Sequence, residues 1–312
     1  MAKLIMTVEQ MQDKAAWLEA RNKGIGGSDA SVIVGLNKWK SPFQLWLEKT
    51  GQAEPEDLSD NEYVYWGTTL EEVVAKEFTL RTGKRVVRRG LLQHDDIPYL
   101  LASVDRLVVG EDAGLECKTA NGFAAKAWDG DNVPDAYYVQ CQHYMAVTGV
   151  KTWYIAALIG GNHFVWKEIP RNEDDIKALL EAEAEFWRKV ETKEMPDVDG
   201  SESCTQALAE KFSGGGPAIE LPSEADKIFL ALDGLKESAK SIKAQIDEQE
   251  NKLRAMLGDA EAGTTASGRR VTWKTQAGRT TIDSKRLKAE KPDVWQQYSK
   301  VGNPTRVLKI AG

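Results

Sequence analysis

The chain has 312 residues, 42% hydrophobic and 29% charged, with a net charge of −7. That length allows one large or two modest domains with a real core, in the composition of an ordinary soluble globular protein. No apolar run approaches the length of a membrane span, and the N-terminus lacks a signal-peptide pattern, so a cytoplasmic protein is expected.

Three cysteines (Cys117, Cys141 and Cys204) show no CxxC spacing, and three histidines (His94, His143 and His163) show no HxxxH spacing. Thiolate cages, iron–sulfur clusters and His-rich centres are therefore disfavoured, and any metal is expected to have oxygen ligands.

In chain order, residues 8–20 have helical spacing and lead into Gly24-Ile25-Gly26-Gly27. Ser28-Asp29 then opens a short helix, and Ser41-Pro42 opens another over 43–50, closed by Gly51. Residues 52–60 are acidic and loop-like. The stretch 62–81 reads as a long amphipathic helix with Leu70, Val73, Val74 and Phe78 on one side and Gly83 as its stop. Strand signals follow at 86–89, 100–109 and 115–119, with a turn through 110–114. Residues 135–148 read as a helix stopped by Gly149. Residues 152–159 and 164–169 read as a hairpin around Gly160-Gly161, and 173–194 as an acidic helix. This order predicts an α/β (α+β) domain over residues 1–200, with a mixed central sheet flanked by helices.

Residues 201–222, which include Ser213-Gly214-Gly215-Gly216-Pro217, are expected to form a linker. Within 223–312, Ser223 is a good N-cap. Ile228, Leu232, Leu235, Ala239, Ile242, Ile246, Leu253 and Met256 then recur at alternating four- and three-residue steps, interrupted at Gln249. That heptad fits a helical hairpin or coiled-coil partner, or packing against its own domain. A strand-like stretch at 270–275, a Lys-rich helix at 283–290, residues 292–298 and a strand-like 306–310 end the chain. Charge is uneven: 269–312 carries eleven Lys/Arg against three Asp/Glu, or +8, leaving −15 on the rest. Solvated helix faces account for many of those acids, and net charge says little about a narrow groove.

Chemistry concentrates in Ala102-Ser103-Val104-Asp105-Arg106 and Leu115-Glu116-Cys117-Lys118-Thr119. Residues two apart on a strand share a face, so Glu116 and Lys118 project together and Cys117 faces away. Two carboxylates suit Mg²⁺, and a neighbouring lysine can hold a water and help deprotonate it for attack on phosphorus. Pairing Val109 with Leu115 would put Asp105 on the wrong face. Pairing Val109 with Gly114 puts it opposite Lys118, so a four-residue turn or a bulge is expected. Alone, this pattern is equally that of a surface salt bridge on an edge strand.

Its neighbours carry a resemblance. Arg21 to Ser28-Asp29 with its glycines, Gly35-Leu36-Asn37, and Ser41-Pro42-Phe43 with Leu45-Trp46 form one motif; Gly67-Thr68-Thr69-Leu70-Glu71 forms a second. Asp105 with Glu116-Cys117-Lys118, and Tyr138-Val139-Gln140-Cys141-Gln142 running to Thr148-Gly149, complete the set. In order and spacing over residues 14–190 these resemble the YqaJ or lambda-type phage recombination exonucleases of the PD-(D/E)xK nuclease superfamily.

The resemblance implies that Asp105, Glu116 and the Cys117 carbonyl would hold Mg²⁺, with Mn²⁺ able to substitute. Glu71 would complete the carboxylate cluster, with Glu72 as its competitor. Lys118 would serve the water, and Gln140 would orient it, or would merely cap a sheet edge. Arg21 and Ser28 would anchor a 5′-phosphate, which suits a guanidinium, a hydroxyl and backbone N–H groups at a helix start. The glycines by themselves fit a tight turn. Arg81, Lys84, Arg85, Arg88 and Arg89 are candidates for phosphate contacts or a plain solvated face. Family members form toroidal trimers threaded by DNA.

The implied function is Mg²⁺-dependent 5′→3′ digestion of double-stranded DNA from an end, supplying 3′ strands to a single-strand annealing protein. A structure-specific or nicking endonuclease is the alternative, and a non-catalytic DNA-binding protein a further one.

Overall fold

The computed structural model describes residues 2–302 and 306–310. The chain divides into two units, Met1–Ser213 and Gly214–Gly312.

The first unit opens with β1 (Lys3–Met6), α1 (Lys14–Asn22), α2 (Gly27–Ile33), α3 (Pro42–Lys49) and α4 (Glu62–Thr82). Strands β2 (Val86–Val87), β3 (Leu91–Gln93), β4 (Leu101–Ser103), β5 (Arg106–Val108) and β6 (Ala113–Ala120) follow, then α5 (Asp135–Thr148). Strands β7 (Thr152–Ile159) and β8 (His163–Pro170), then α6 (Glu173–Thr192) and α7 (Glu202–Lys211), complete it.

A five-stranded sheet runs β2-β5-β6-β7-β8, and a three-stranded sheet runs β1-β3-β4. The β6–β7 pair is parallel, with Glu116 beside Ile155 and Lys118 beside Ala157, whereas β7–β8 is an antiparallel hairpin. Its turn holds Gly160 and Gly161 at φ 60° and 78°, the left-handed region that glycine enters without strain. The large sheet is mixed, as expected.

Alternation along β7 separates two cores. Trp153, Ile155, Ala157 and Ile159 pack with the core that contains Cys141, Tyr144 and Met145 of α5. Tyr154 and Ala156 pack with Val74, Ala75 and Phe78 of α4. Period two on the strand against period 3.6 on each helix explains why one strand serves both layers. Of the apolar face expected on α4, Val74 and Phe78 are buried, but Val73 is half exposed, and Ala75 takes the inner position.

Three expectations need correction. The strand expected over 100–109 breaks at Val104–Asp105, and its halves belong to different sheets, β4 with β3 and β5 with β6. The proposed linker 201–222 begins too early. Ser201 caps α7 through the Cys204 N–H, and Cys204 and Ala207 are fully buried in the first unit's core, because apolar residues one helical turn apart find a face to cover. The strand expected at 306–310 is not formed: these residues join none of the sheets, and a strand needs a ladder partner to satisfy its backbone groups.

In the second unit, α8 (Glu224–Leu257) is a 34-residue helix with no buried residue. Its heptad positions Ile228, Leu235 and Ile242 are exposed. The hairpin of β9 (Ala262–Thr264) and β10 (Arg270–Thr272), then α9 (Ser284–Glu290) and α10 (Pro292–Tyr298), follow. Among the described residues, no helix is long and apolar enough to cross a membrane.

Candidate active site

The chain reversal between β5 and β6 sets the site. Arg106 pairs with Leu115 and Leu107 with Gly114. This register lies two residues from the expected Val109–Gly114 pairing, and the Val109 N–H instead extends the β2 ladder, donating to the Arg85 carbonyl at 2.8 Å. A shift of two keeps every side chain on its face. Asp105 thus comes level with Glu116 rather than Lys118. Just before β5 begins, the Asp105 carboxylate accepts the Cys117 N–H at 2.8 Å.

Glu116 and Lys118 project together, as alternation requires, and β6 is a central strand, not an edge. The Lys118 ammonium lies 2.5 Å from Glu116 Oε1 and donates to Gln140 Oε1 at 3.0 Å. The Gln140 amide donates to Glu116 Oε1 at 2.8 Å and to the Tyr144 hydroxyl at 2.9 Å; Tyr144 in turn donates to the Ser103 carbonyl at 3.0 Å. Gln140 therefore belongs to the cluster and does not cap a sheet edge. The Tyr137 ring lies under the Lys118 ammonium, 4.8 Å to its centre.

A cavity of about 250 Å³ is lined by Asp105, Glu116, Cys117, Lys118, Glu71 and Thr119, with Val64, Gly67 and Thr68 of α4 closing one wall. Burial, then the charges of Glu116 and Glu71, pushes the Asp105 carboxyl well above the carboxylate range. Burial works against the Lys118 ammonium, yet Glu116 and Asp105 outweigh it and raise its pKa. Burial and the same acids push the Cys117 thiol up, so it is a neutral side chain.

Among the described residues, no three His, Cys, Asp or Glu side chains converge as a ready-made metal cage. The donor set nonetheless fits a hard cation. Glu116 Oε2 is buried without a hydrogen-bond partner, a costly condition that a cation relieves. Asp105 shares its cavity, and Glu71 lines the wall.

Glu71 faces the cavity, whereas Glu72 is 68% exposed. Both are held by Arg106, a residue the sequence reading passed over. Its buried guanidinium donates to Glu71 at 2.5 Å, to Glu72 at 2.8 Å and to the Asp105 carbonyl at 2.7 Å. The signal available was an arginine opening an otherwise apolar strand, but its acidic partners sit 34 and 35 positions away.

A second cluster forms at the start of α2. Arg21, in the last turn of α1, hydrogen-bonds the Ser28 hydroxyl and lies 3.7 Å from Asp29. Asp29 was expected only to open a helix. Its carboxylate accepts the Gly26 N–H at 3.0 Å and pairs with the buried Lys49 at 2.9 Å. Burial would raise its pKa, but Lys49 and Arg21 outweigh that effect and hold it at about 2. In the first turn of α2 the Asp29 N–H is taken by the Gly26 carbonyl at 2.9 Å.

Gly24 and Gly27 serve close packing, and none of Gly24, Gly26 and Gly27 has positive φ. A Cβ on Gly27 would stand 2.5 Å from the Tyr144 ring, and one on Gly24 2.4 Å from the Tyr99 carbonyl. Gly27→Ala is expected to cost about 1–3 kcal/mol through overpacking. Urea unfolding reads this, and an unchanged midpoint would show that Tyr144 yields.

Of the basic candidates, Arg81 pairs with Glu77 and Lys84 with Glu111. Arg88 reaches Glu72 at 3.1 Å and Glu71 at 3.8 Å, while Arg85 and Arg89 are exposed.

Residues 16–151 match the family described as YqaJ-like viral recombinase domain. YqaJ of Bacillus subtilis (strain 168) is 42% identical over 290 residues, covering 91% of this chain and 90% of that protein. An alkaline exonuclease from Laribacter hongkongensis is similar in structure at 19% identity, with a TM-score of 0.49, over 57% of this chain and 93% of that one. A phage-related exonuclease from Haemophilus somnus 129PT is similar at 15% identity, with a TM-score of 0.41, over 55% of this chain and 96% of that one. On the family match and the relationship to the Bacillus protein, the chain belongs to the YqaJ-like viral recombinase family.

Proposed function

We propose that the chain is a metal-dependent deoxyribonuclease that digests one strand of duplex DNA from its 5′ end, leaving 3′ strands for phage-type single-strand annealing recombination. The observation that carries this reading is the meeting of Asp105, Glu116 and Lys118 in one cavity, backed by Gln140 and walled by Glu71. Membership of a recombinase family supports the setting, and the Arg21–Ser28 cluster supports end recognition.

Asp105 and Glu116, with the Cys117 carbonyl, would hold Mg²⁺ or Mn²⁺, which supplies Lewis acidity toward a phosphate and a water. Lys118 donates from its ammonium to the attacking water and offsets the negative charge that builds on phosphorus. Gln140 fixes the Lys118 ammonium and Glu116 in one geometry. Burial removes competing water and strengthens each of these interactions. Arg21 and Ser28 hold the terminal phosphate and so limit attack to strand ends.

End-labelled linear duplex and closed circular plasmid, each with Mg²⁺ or chelator, test the reading. Metal-dependent loss of the linear substrate alone is expected, and cleavage of the circle would favour a nicking or structure-specific endonuclease. Duplexes with a 5′-phosphate should be digested faster than 5′-hydroxyl ends, with Arg21→Ala erasing the difference. A charge-assisted contact of about 1.5–3 kcal/mol makes that difference about tenfold to a hundredfold. Equal wild-type rates on both ends would remove the anchor from the proposal.

The basic stretch 269–312 is proposed to add phosphate contacts. A chain cut near Pro217 should then lose about 0.9 from the slope of log affinity against log salt for each contact removed. An unaltered slope would leave that region to docking of an annealing protein or to assembly of an oligomeric ring.

A further inference from the structure

Arg106 is the most deeply buried guanidinium beside the candidate site, with 3% of its side chain exposed. It does not line the cavity; Glu71 stands between it and the open space. One nitrogen donates to Glu71 Oε1 at 2.5 Å and to the Asp105 carbonyl at 2.7 Å, while the other donates to Glu72 Oε2 at 2.8 Å. A single planar fork therefore ties the α4 carboxylates to the backbone of the residue that supplies Asp105. Consecutive helix positions diverge by about 100°, so a compact ammonium could not span both acids as the fork does.

We infer that Arg106 is a positioning residue for cation binding: it fixes Glu71 Oε1 so that the rest of that carboxylate is presented to the cavity shared by Asp105 and Glu116. The inference rests on the proposed metal-dependent reading. Its physical basis is repulsion. Three carboxylates around one cavity push each other apart, and α4 is a separate element from the β4–β5 junction that carries Asp105, so only non-covalent contacts hold Glu71 near it. Arg106 supplies the opposing attraction from behind, where it competes neither with a cation nor with a phosphate. Exposed Arg88, 3.1 Å from Glu72 and 3.8 Å from Glu71, adds a further attraction from the solvent side.

The test is direct Mn²⁺ binding by titration calorimetry on the full chain, with no DNA and no turnover. The variants are Arg106→Lys, Glu71→Gln and their combination, with Glu72→Gln as a further single change. Arg106→Lys keeps the buried charge and loses the fork, so it preserves the fold better than a neutral replacement; thermal melting checks that it has. Arg106→Lys is expected to weaken Mn²⁺ about tenfold in the wild-type background and to do almost nothing once Glu71→Gln is present, since coupled residues are non-additive. Glu72→Gln, touching only the outer arm, should weaken binding less than Arg106→Lys. Equal losses in both backgrounds would overturn the inference by showing that Arg106 supports the fold and not Glu71. Unchanged binding in Arg106→Lys would overturn it as well. A wild-type chain that binds no Mn²⁺ would instead remove the metal-dependent reading, and the inference with it.

Discussion

Asp105→Ala and Glu116→Ala are each expected to cut DNA hydrolysis by at least a factor on the order of 10²–10³, the scale seen when one preorganised electrostatic partner is removed. The fold should survive, and without metal it should gain. Asp105 is half-buried beside Glu116 and lines the same cavity as Glu71, with its carboxyl pushed well above the usual range. A carboxyl raised on folding favours the native state below its unfolded value, near 3.9. That contribution is lost as pH rises through the folded pKa. In chelator at neutral pH, Asp105→Asn should therefore melt higher than wild type, and the gap should close as pH falls toward 4. Adding Mn²⁺ should reverse the order, because a ligand bound only by the folded wild type stabilises it by mass action. Full activity in either alanine variant would sink the nuclease reading, and a wild type indifferent to Mn²⁺ would sink the metal assignment.

Lys118→Ala should lose about 10²-fold or more in rate, the range for a group that handles a proton or a water in the transition state, while binding to end-bearing duplex with Ca²⁺ is retained. The ammonium is engaged by Glu116 and Gln140 and sits over Tyr137, so it is fixed before any substrate arrives. Its loss frees Glu116 Oε1 from an ion pair but leaves the Gln140 amide in place. Fluorescence anisotropy on a labelled duplex separates the two roles. Should binding collapse together with the rate, Lys118 contacts phosphate and does not serve the water.

The parts of the site that period and spacing determine were readable in the chain. Glu116 and Lys118 share a face because strands alternate, and Arg21 meets Ser28 because a helix end and a helix start flank one short loop. The long α4 ran within one residue of its expected limits. What escaped depended on partners distant in sequence. The strands Lys3–Met6 and Leu91–Gln93 are short and are made by pairing with each other and with β4, so four-residue patterns carried no signal of their own. The break at Val104–Asp105 looks like continuous strand because both halves are apolar and alternate. Arg106, Lys49 and Tyr144 were missed for a related reason: each owes its role to a non-local partner, Glu71 for Arg106, Asp29 for Lys49, and Ser103 and Gly27 for Tyr144. The glycines before Ser28 were read as a turn signal, whereas two of them are spaces left for Tyr99 and Tyr144.

The contact between Gly27 and Tyr144 has a bearing on what such a molecule releases. Gly27 begins the helix beside the Arg21–Ser28 pair, Tyr144 presses on it, and Gln140 links Tyr144 to Glu116. Direct contacts thus join the residues proposed to grip a strand's end to those proposed to cut it. Grip and cut then behave as the two marks on a ruler: the span between them is a constant of the fold. Under the proposed reading, each advance along DNA covers the same stride whatever the bases, and the released pieces share one length.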